Sequence, residues 1–450
     1  MPRERYNTAI RERFQQILTS SLGGVESEFQ AQLSEAVLAR ILFTVRTPNG
    51  LPAEIDAEEI ERKLVEASWS WTDRLAKALE ESLGEEAGNR LFRTYGHAFP
   101  AAYRESVPAR AAVADIRHID ALARGEGPAL AMSLYHRLED PDHHLRFRLI
   151  RKDEPIRLSE ALPILENMGL EVLAEEPFLV RTEAGRLFAI HDFVMRPLAV
   201  GPAPAGTSGP TDVDAVRQAF QETFLEVWRG RIENDGFNRL VLSGGLAPRR
   251  IVVLRACCKY LLQLGIPFSQ AYIEQTLARN APLASALARL FDARFDPAVQ
   301  DREPVVRELE RAIESGLEQV QSLDEDRIVR AYLGLIRAAL RTNHFQRGPD
   351  GQPKDYLSIK LDPAKVPGMP LPKPAFEIFV YAPYVEGVHL RGGKVARGGL
   401  RWSDRREDFR TEILGLMKAQ MVKNAVIVPV GAKGGFVVKR PPAGGDRAAF

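Results

Sequence analysis

Two proline- and glycine-rich breaks divide this 450-residue chain into segments with different hydrophobic patterns. The first break, residues 201–212, has the composition of a linker. The second, residues 347–375, begins with a Gly-Pro-Asp-Gly turn sequence and continues through a run of prolines, and it is also predicted as a linker. Because 450 residues are too many for one ordinary hydrophobic core, we expect several domains.

Composition excludes several classes of protein. The chain carries 61 Lys and Arg residues against 60 Asp and Glu residues, so it is not a uniformly basic nucleic-acid binder. It has no run of about 18 apolar residues, and no apolar stretch follows Met1 as in a secretory signal. The two cysteines, Cys257 and Cys258, are adjacent in an apolar stretch and are predicted to be buried and reduced. We therefore expect a cytoplasmic protein with neither membrane nor nucleic acid as a partner.

The segments before the second break are predicted to be helical and α+β. Residues 1–130 are expected to be mostly helical with ACT-like elements, including one strand at 38–45. Residues 131–200 give the order β-α-β-β, with Ser159 as helix N-cap and Gly169 just after the helix. This order resembles an ACT-type regulatory domain, which implies an amino-acid effector; a plain α+β packing domain is the alternative. Residues 213–346 are predicted to form a helical domain, in which Pro248 opens the helix that holds the cysteines.

The last segment, residues 376–450, is predicted to begin an α/β domain. Strands are expected at 376–381 and from 388, a helix at 408–423, and a buried strand at 425–430. A tight turn at 431–435 would then hold Lys433 at the C-terminal end of that strand, which is the usual place for a site in an α/β sheet.

Positive charge and glycine are both concentrated in residues 391–440. Twelve basic and four acidic side chains lie there, although the whole chain is almost neutral. Glycines beside Lys and Arg suit an anionic ligand, because they let the backbone come close and take positive φ angles. Interleaved aromatics and a Walker A sequence are both absent, which disfavours nucleic acid and a P-loop. His389 has no second ligand at metal spacing, so no metal site is predicted.

Three motifs in this segment resemble the substrate site of glutamate dehydrogenases. They are Arg397-Gly398-Gly399-Leu400-Arg401-Trp402, Gln420-Met421-Val422-Lys423-Asn424 and Gly431-Ala432-Lys433-Gly434-Gly435. The run from Glu386 to Phe436 is similar to the large bacterial NAD-dependent class, in which regulatory and helical domains precede the catalytic part.

This resemblance implies a role for each motif. Lys433 would be the catalytic lysine, Lys423 would bind the substrate α-carboxylate with Gln420 beside it, and Arg397 would face the side-chain carboxylate, where smaller enzymes have a lysine. The supporting glycines would be Gly398, Gly399, Gly431, Gly434 and Gly435. The implied reaction converts L-glutamate to 2-oxoglutarate and ammonium with reduction of NAD, in a homo-oligomer.

The resemblance also implies parts that lie beyond residue 450. These are the family's catalytic aspartate and its nucleotide-binding Rossmann domain, since no Gly-x-Gly-x-x-Gly occurs. We therefore expect a fragment that binds NAD poorly and is inactive by itself. The predicted architecture is multidomain, α+β and α/β: helical and ACT-like regulatory domains, a helical domain, and the start of a substrate domain. Two other functions stay open, namely a non-catalytic amino-acid-sensing module and a phosphate- or nucleotide-binding protein.

Overall fold

The computed structural model describes residues 3, 6–32, 38–48, 50, 55–127, 129–137, 139–141, 143–198, 212–423 and 429–441. Within it the chain forms two compact units. The first comprises Met1–Ala131, Ile150–Pro155 and Pro177–Ile190, and the second comprises Met132–Leu149, Ile156–Glu176 and His191–Phe450. The predicted linker 201–212, apart from residue 212, and residues 425–428 of the predicted strand lie outside the described residues.

The first unit begins with a helix and an antiparallel pair of strands, followed by five helices. In chain order these are α1 Thr8–Ser21, β1 Glu26–Gln32, β2 Arg40–Arg46, α2 Ala57–Ala67, α3 Trp71–Leu83, α4 Glu85–Tyr95, α5 Ala101–Ser106 and α6 Ala109–Arg124. Ser70 and Asp73 form a capping box at the start of α3, which separates α3 from α2. The aromatic side chains of Phe99, Tyr103 and Phe178 pack in the core of this unit.

A four-stranded sheet and one helix make up the α+β segment. Its elements are β3 Leu130–Tyr135, β4 Leu145–Lys152, α7 Leu158–Asn167, β5 Leu170–Arg181 and β6 Leu187–Pro197, and the sheet order is β3-β4-β6-β5. The predicted β-α-β-β order is present, preceded by β3, which was not predicted. The N-cap prediction is wrong: Arg157 occupies the N-cap position of α7, without a side-chain hydrogen bond, and Ser159 lies inside the helix. Gly169 has a φ of 85°, as expected after a helix.

Helices fill the next part of the second unit. They are α8 Val213–Trp228, α9 Leu240–Ser243, α10 Pro248–Gln263, α11 Gln270–Arg279, α12 Ala281–Phe295, α13 Arg302–Leu317 and α14 Leu323–Ala338. Pro248 opens α10, and Cys257 and Cys258 are buried in it, as predicted. Among the described helices, none combines the length and apolar character needed to cross a membrane.

The last part of the second unit is a mixed sheet with one helix packed on it. Its elements are β7 Ala339–Thr342, β8 Leu357–Leu361, β9 Phe376–Tyr381, β10 Val385–Arg391, β11 Ala396–Arg397, β12 Leu400–Trp402, α15 Phe409–Lys423 and β13 Val430–Val438. The order is β11-β13-β10-β9-β8-β7, with β12 also paired to β13. The sheet therefore starts before residue 376, and the proline-rich segment predicted as a linker contributes β8. The prolines flank this strand rather than interrupt it.

The predicted tight turn at 431–435 is wrong. These residues lie inside β13, which pairs antiparallel with β10 on one side and parallel with β11 and β12 on the other. Lys433 is therefore in the middle of a strand and not at its C-terminal end. Glycine content suggested a turn, whereas the pairing of three strands that are distant in sequence keeps the segment extended.

Candidate functional site

The three motifs meet at strand β13. Arg397 is in register with Gly431, and Leu400 with Gly434, so the first motif runs parallel to the third. The N–H of Gly434 donates to the carbonyl of Gly399 (3.0 Å). The second motif ends α15, which packs against β13. Residues that are 36 positions apart in the sequence therefore form one surface.

Lys433 projects from the face of β13 that α15 covers. Gly431 lies against the backbone of Gln420, and Gly435 lies against Ile413, so both glycines face the helix. Lys433 is between them at period two and points to the same side. Its Nζ would be 3.8 Å from a Cβ placed on Gly399, which puts the amine beside the first motif.

The glycines have a steric role rather than a conformational one. A Cβ on Gly398 would lie 1.6 Å from the carbonyl oxygen of Ala432, and one on Gly435 would lie 2.1 Å from Ile413. On Gly431 and Gly434 it would come within 2.8 Å of a neighbour. None of these four has a positive φ. The expectation of positive φ was wrong here: the glycines allow the three segments to touch.

Helix α15 brings Gln420 to this surface, while Lys423 lies at its end. The backbone N–H of Met421 and the Cβ of Gln420 would lie within 2.8 Å of a Cβ on Gly431. Lys423 is exposed and is the last residue of the helix. The contacts of the second motif with Gly431 are thus made by Gln420 and Met421, and Lys423 follows one turn later on the same helix.

Three cationic side chains of the motifs lack a counter-charge within the described part of the chain. Among the described residues, Arg397, Lys423 and Lys433 have no acidic side chain within ion-pair distance. Arg401 differs, because its Nε lies 3.1 Å from Oε1 of Glu412, which also accepts a hydrogen bond from Ser403. A surface that leaves three cations unneutralised is suited to a ligand with more than one carboxylate.

The first turn of α15 is fixed by side chains that were not predicted. Arg410 is almost fully buried and donates two hydrogen bonds, each 2.7 Å, to the carboxylate of Glu377 on β9. Gln263, the last residue of α10, bonds to the backbone at Arg406, Glu407 and Arg410. One signal for Arg410 was available, since it precedes Ile413 by three and Met417 by seven residues and so lies on the apolar face.

His389 lies opposite Gly434 across the β10–β13 pair, near the site. Burial and the nearby charge of Arg391 lower the pKa of His389, so the imidazole is neutral at neutral pH. The described residues contain no group of three His, Cys, Asp or Glu side chains placed to bind a metal ion.

A second charged cluster lies in the four-stranded sheet, and its charges are paired internally. Arg148 donates to Asp192 and to the hydroxyl of Tyr135, both at 2.6 Å. Arg146 bonds to Asp140 at 2.6 Å. This cluster is therefore neutralised by the protein itself, in contrast to the cations around β13.

Five family models match the chain, and all describe parts of glutamate dehydrogenases. The bacterial NAD-glutamate dehydrogenase catalytic domain matches residues 312–450. The other models are the glutamate dehydrogenase ACT2 domain (1–72), helical motif 2 (78–122), ACT3 domain (129–203) and helical motif 3 (232–297). They follow the order that the resemblance implied.

Curated relatives match along nearly the whole chain. NAD-specific glutamate dehydrogenases of Halomonas elongata, Pseudomonas aeruginosa and Mycobacterium tuberculosis are 46%, 45% and 42% identical, over 100%, 99% and 100% of this chain. The chain spans 27%, 27% and 28% of their respective lengths. By these matches and the order of its domains, the chain belongs to the family of bacterial NAD-glutamate dehydrogenases.

Proposed function

We propose that the surface around β13 is the substrate site of an NAD-dependent glutamate dehydrogenase, an oxidoreductase of the cytoplasm. The reaction would convert L-glutamate, NAD+ and water to 2-oxoglutarate, ammonium, NADH and a proton. The observation that carries the proposal is the convergence of Arg397, Gln420 and Lys433 on one strand, with the cations left without acidic partners. The relatives are NAD-specific glutamate dehydrogenases, which supports the choice of substrate and cofactor.

The proposed roles follow from charge. Glutamate has two carboxylates, so it needs two cationic anchors: Lys423 for the α-carboxylate, with Gln420 beside it, and Arg397 for the side-chain carboxylate. An arginine can bind that carboxylate through two parallel hydrogen bonds.

Lys433 is proposed to act on the oxidised substrate. Loss of one proton from the α-ammonium and of hydride from the α-carbon gives an iminium ion, and water then attacks its carbon. Lys433 would accept the proton of that water as the C–O bond forms, while the electron pair of the C=N bond goes to the iminium nitrogen. The carbinolamine then releases ammonia and leaves 2-oxoglutarate.

The described residues do not fit NAD itself. A dinucleotide phosphate usually binds at an open helix N-terminus that follows a glycine-rich turn. The βαβ unit β12–α15–β13 has no such turn before α15, and the side chain of Gln263 already occupies the N–H of Arg410 in its first turn. We propose that residues outside this chain bind the cofactor, and no step above depends on where it lies.

The glycine N–H groups give the phosphate-binding alternative less support than the substrate site. The N–H groups of Gly392 and Gly434 donate to the carbonyls of Gly431 and Gly399 and so are used within the sheet. The amino-acid effector and assembly as a homo-oligomer stay predictions. Sedimentation of the full-length protein tests the second of these.

Formation of NADH from L-glutamate by a protein of the relatives' full length tests the proposal. We expect Lys433→Ala to abolish NADH formation, and Lys418→Ala, an exposed lysine of α15, to leave it near wild type. Full activity in Lys433→Ala would refute the catalytic assignment. Absence of glutamate-dependent NADH in the folded wild type would refute the reaction.

A further inference from the structure

A buried side chain at the end of α10 bonds to the backbone where α15 begins. Gln263 ends α10 and is 7% exposed. Its Nε2 donates to the carbonyls of Arg406 (3.0 Å) and Glu407 (2.9 Å), and its Oε1 accepts from the N–H of Arg410 (3.1 Å). A single amide therefore makes three hydrogen bonds to the backbone where α15 begins.

These bonds satisfy groups that a helix start leaves open. The first N–H groups of an α-helix have no partner inside the helix, and a residue just before the helix commonly caps them. In α15 the N–H of Arg410 is capped by a residue 147 positions earlier in the chain. The position of α15 thus depends on α10.

A second contact from α10 and one from the sheet act on the same turn. Tyr260 lies one turn before Gln263, and the guanidinium of Arg410 is 6.0 Å from its ring centre. The same guanidinium is held by Glu377 on β9. The first turn of α15 is therefore held between α10 and the sheet, and these contacts restrict its movement.

The rest of α15 transmits this position to the site. The helix is continuous from Phe409 to Lys423, and Ile413 and Gln420 along it contact Gly435 and Gly431 of β13. A continuous α-helix moves largely as one body, so a shift of its first turn displaces Gln420 and Lys423 relative to Lys433.

We infer that Gln263 is a positioning residue that sets α15, and with it Gln420 and Lys423, against β13. The inference rests on the proposed function, because it assigns Gln263 an effect on substrate affinity through the α-carboxylate anchor. Lys433 is in β13, which Gln263 does not touch. Loss of Gln263 should therefore weaken glutamate binding more than it slows the chemical step.

The test uses Gln263→Met in the full-length protein, because methionine keeps the volume and removes all three hydrogen bonds. We expect the KM for glutamate to rise about five- to tenfold, with kcat within about twofold and the KM for NAD unchanged. Gln270→Met is the matched control: its amide bonds to Lys259, Asp235 and Glu274 and to nothing in α15. It should leave all three constants near wild type.

Hydrogen exchange separates this inference from the proposed function. In Gln263→Met the amides of α15 should exchange faster than in wild type, whereas in Gln270→Met they should not. Unchanged KM with a lower kcat, or unchanged exchange in α15, would overturn the positioning role. If the wild type makes no NADH while exchange in α15 still responds to Gln263→Met, the proposed reaction has failed and the structural coupling stands.

Discussion

Arg410 and Glu377 form a two-pronged ion pair in the interior, with both N–O distances 2.7 Å. The side chains are 1% and 0% exposed, and the pair joins the first turn of α15 to strand β9. Removing one partner of such a pair leaves the other charge buried without compensation, which costs far more than the pair contributes.

We therefore expect Arg410→Met to lower the free energy of unfolding by about 3–5 kcal/mol. Arg405→Met is the matched control, because Arg405 pairs with Asp408 on the exposed surface, where an ion pair is worth about 0–1 kcal/mol. Urea unfolding of both variants measures the difference. The double variant Arg410→Met, Glu377→Gln should recover part of the loss, and a loss equal to that of the control would show that the pair is not buried in solution.

Substitution of Gly398 tests whether the motif glycines are required for close packing. A methyl group there would meet the carbonyl oxygen of Ala432 at 1.6 Å, and backbone cannot yield as a side chain does. We expect Gly398→Ala to separate the first motif from β13 and to reduce kcat/KM for glutamate at least about tenfold.

The control for Gly398 is a glycine of the same domain that has space around it. Gly415 in α15 has no atom within 4 Å of an added Cβ, so Gly415→Ala should retain activity and stabilise the helix by about 1 kcal/mol. Steady-state kinetics and thermal unfolding of the two variants give the comparison. Similar activity in both would contradict the packing described for Gly398.

Local patterns sufficed for some elements and not for others. The strand predicted at 376–381 has the bounds of β9, and the helix predicted at 408–423 differs from α15 by one residue, because alternation and helical periodicity are local signals. The glycine-rich run around Lys433 was predicted as a turn, since nothing local reveals that β10, β11 and β12 pair with it.

The supporting residues of the site were the hardest to predict. Gln263 contacts Arg410 across 147 residues, and no spacing in the sequence indicates that contact. The proline-rich stretch around β8 also concealed a strand, because turn-forming Gly, Pro and Asp residues surround its five residues on both sides. The motifs themselves were found because each is a short continuous run.

Burial of His344 predicts a loss of stability in acid. Burial and the charges of Arg249 and Arg250 lower the pKa of His344 to about 4, while Asp296 opposes the shift. The folded state therefore resists protonation of His344. The contribution of the neutral imidazole to the free energy of unfolding is fully present above the unfolded pKa of about 6.5 and is lost as the pH falls towards 4. The loss should approach about 3 kcal/mol.

The experiment compares His344→Gln with wild type in urea unfolding between about pH 7 and about pH 4. The variant should show a shallower decline of the free energy of unfolding, since the titrating group is gone. His97→Gln, an exposed histidine, serves as control and should follow the wild type. Equal slopes in all three proteins would mean that His344 is accessible to protons in the folded state.

Arg397 is proposed to bind the side-chain carboxylate of glutamate, and substitutions at this position test that role. It is exposed, lies in register with Gly431, and has no acidic partner among the described residues. Under the proposed function, Arg397→Met in the full-length protein removes a charged hydrogen bond. The KM for glutamate should then rise about ten- to a hundredfold. Arg397→Lys keeps the positive charge but cannot make the two parallel hydrogen bonds. Its KM for glutamate should therefore lie between the values of the wild type and of Arg397→Met.

Substrate choice distinguishes an anchor from a general electrostatic effect. If Arg397 binds the side-chain carboxylate, Arg397→Met should lose activity towards glutamate while gaining relative activity towards a neutral amino acid such as norvaline, which lacks that carboxylate. Lys394→Met removes a nearby exposed charge outside the motif, and it should change neither the activity towards glutamate nor the activity towards norvaline. An equal loss towards glutamate and norvaline in Arg397→Met would assign Arg397 to the surrounding field, and the side-chain anchor would have to be another residue.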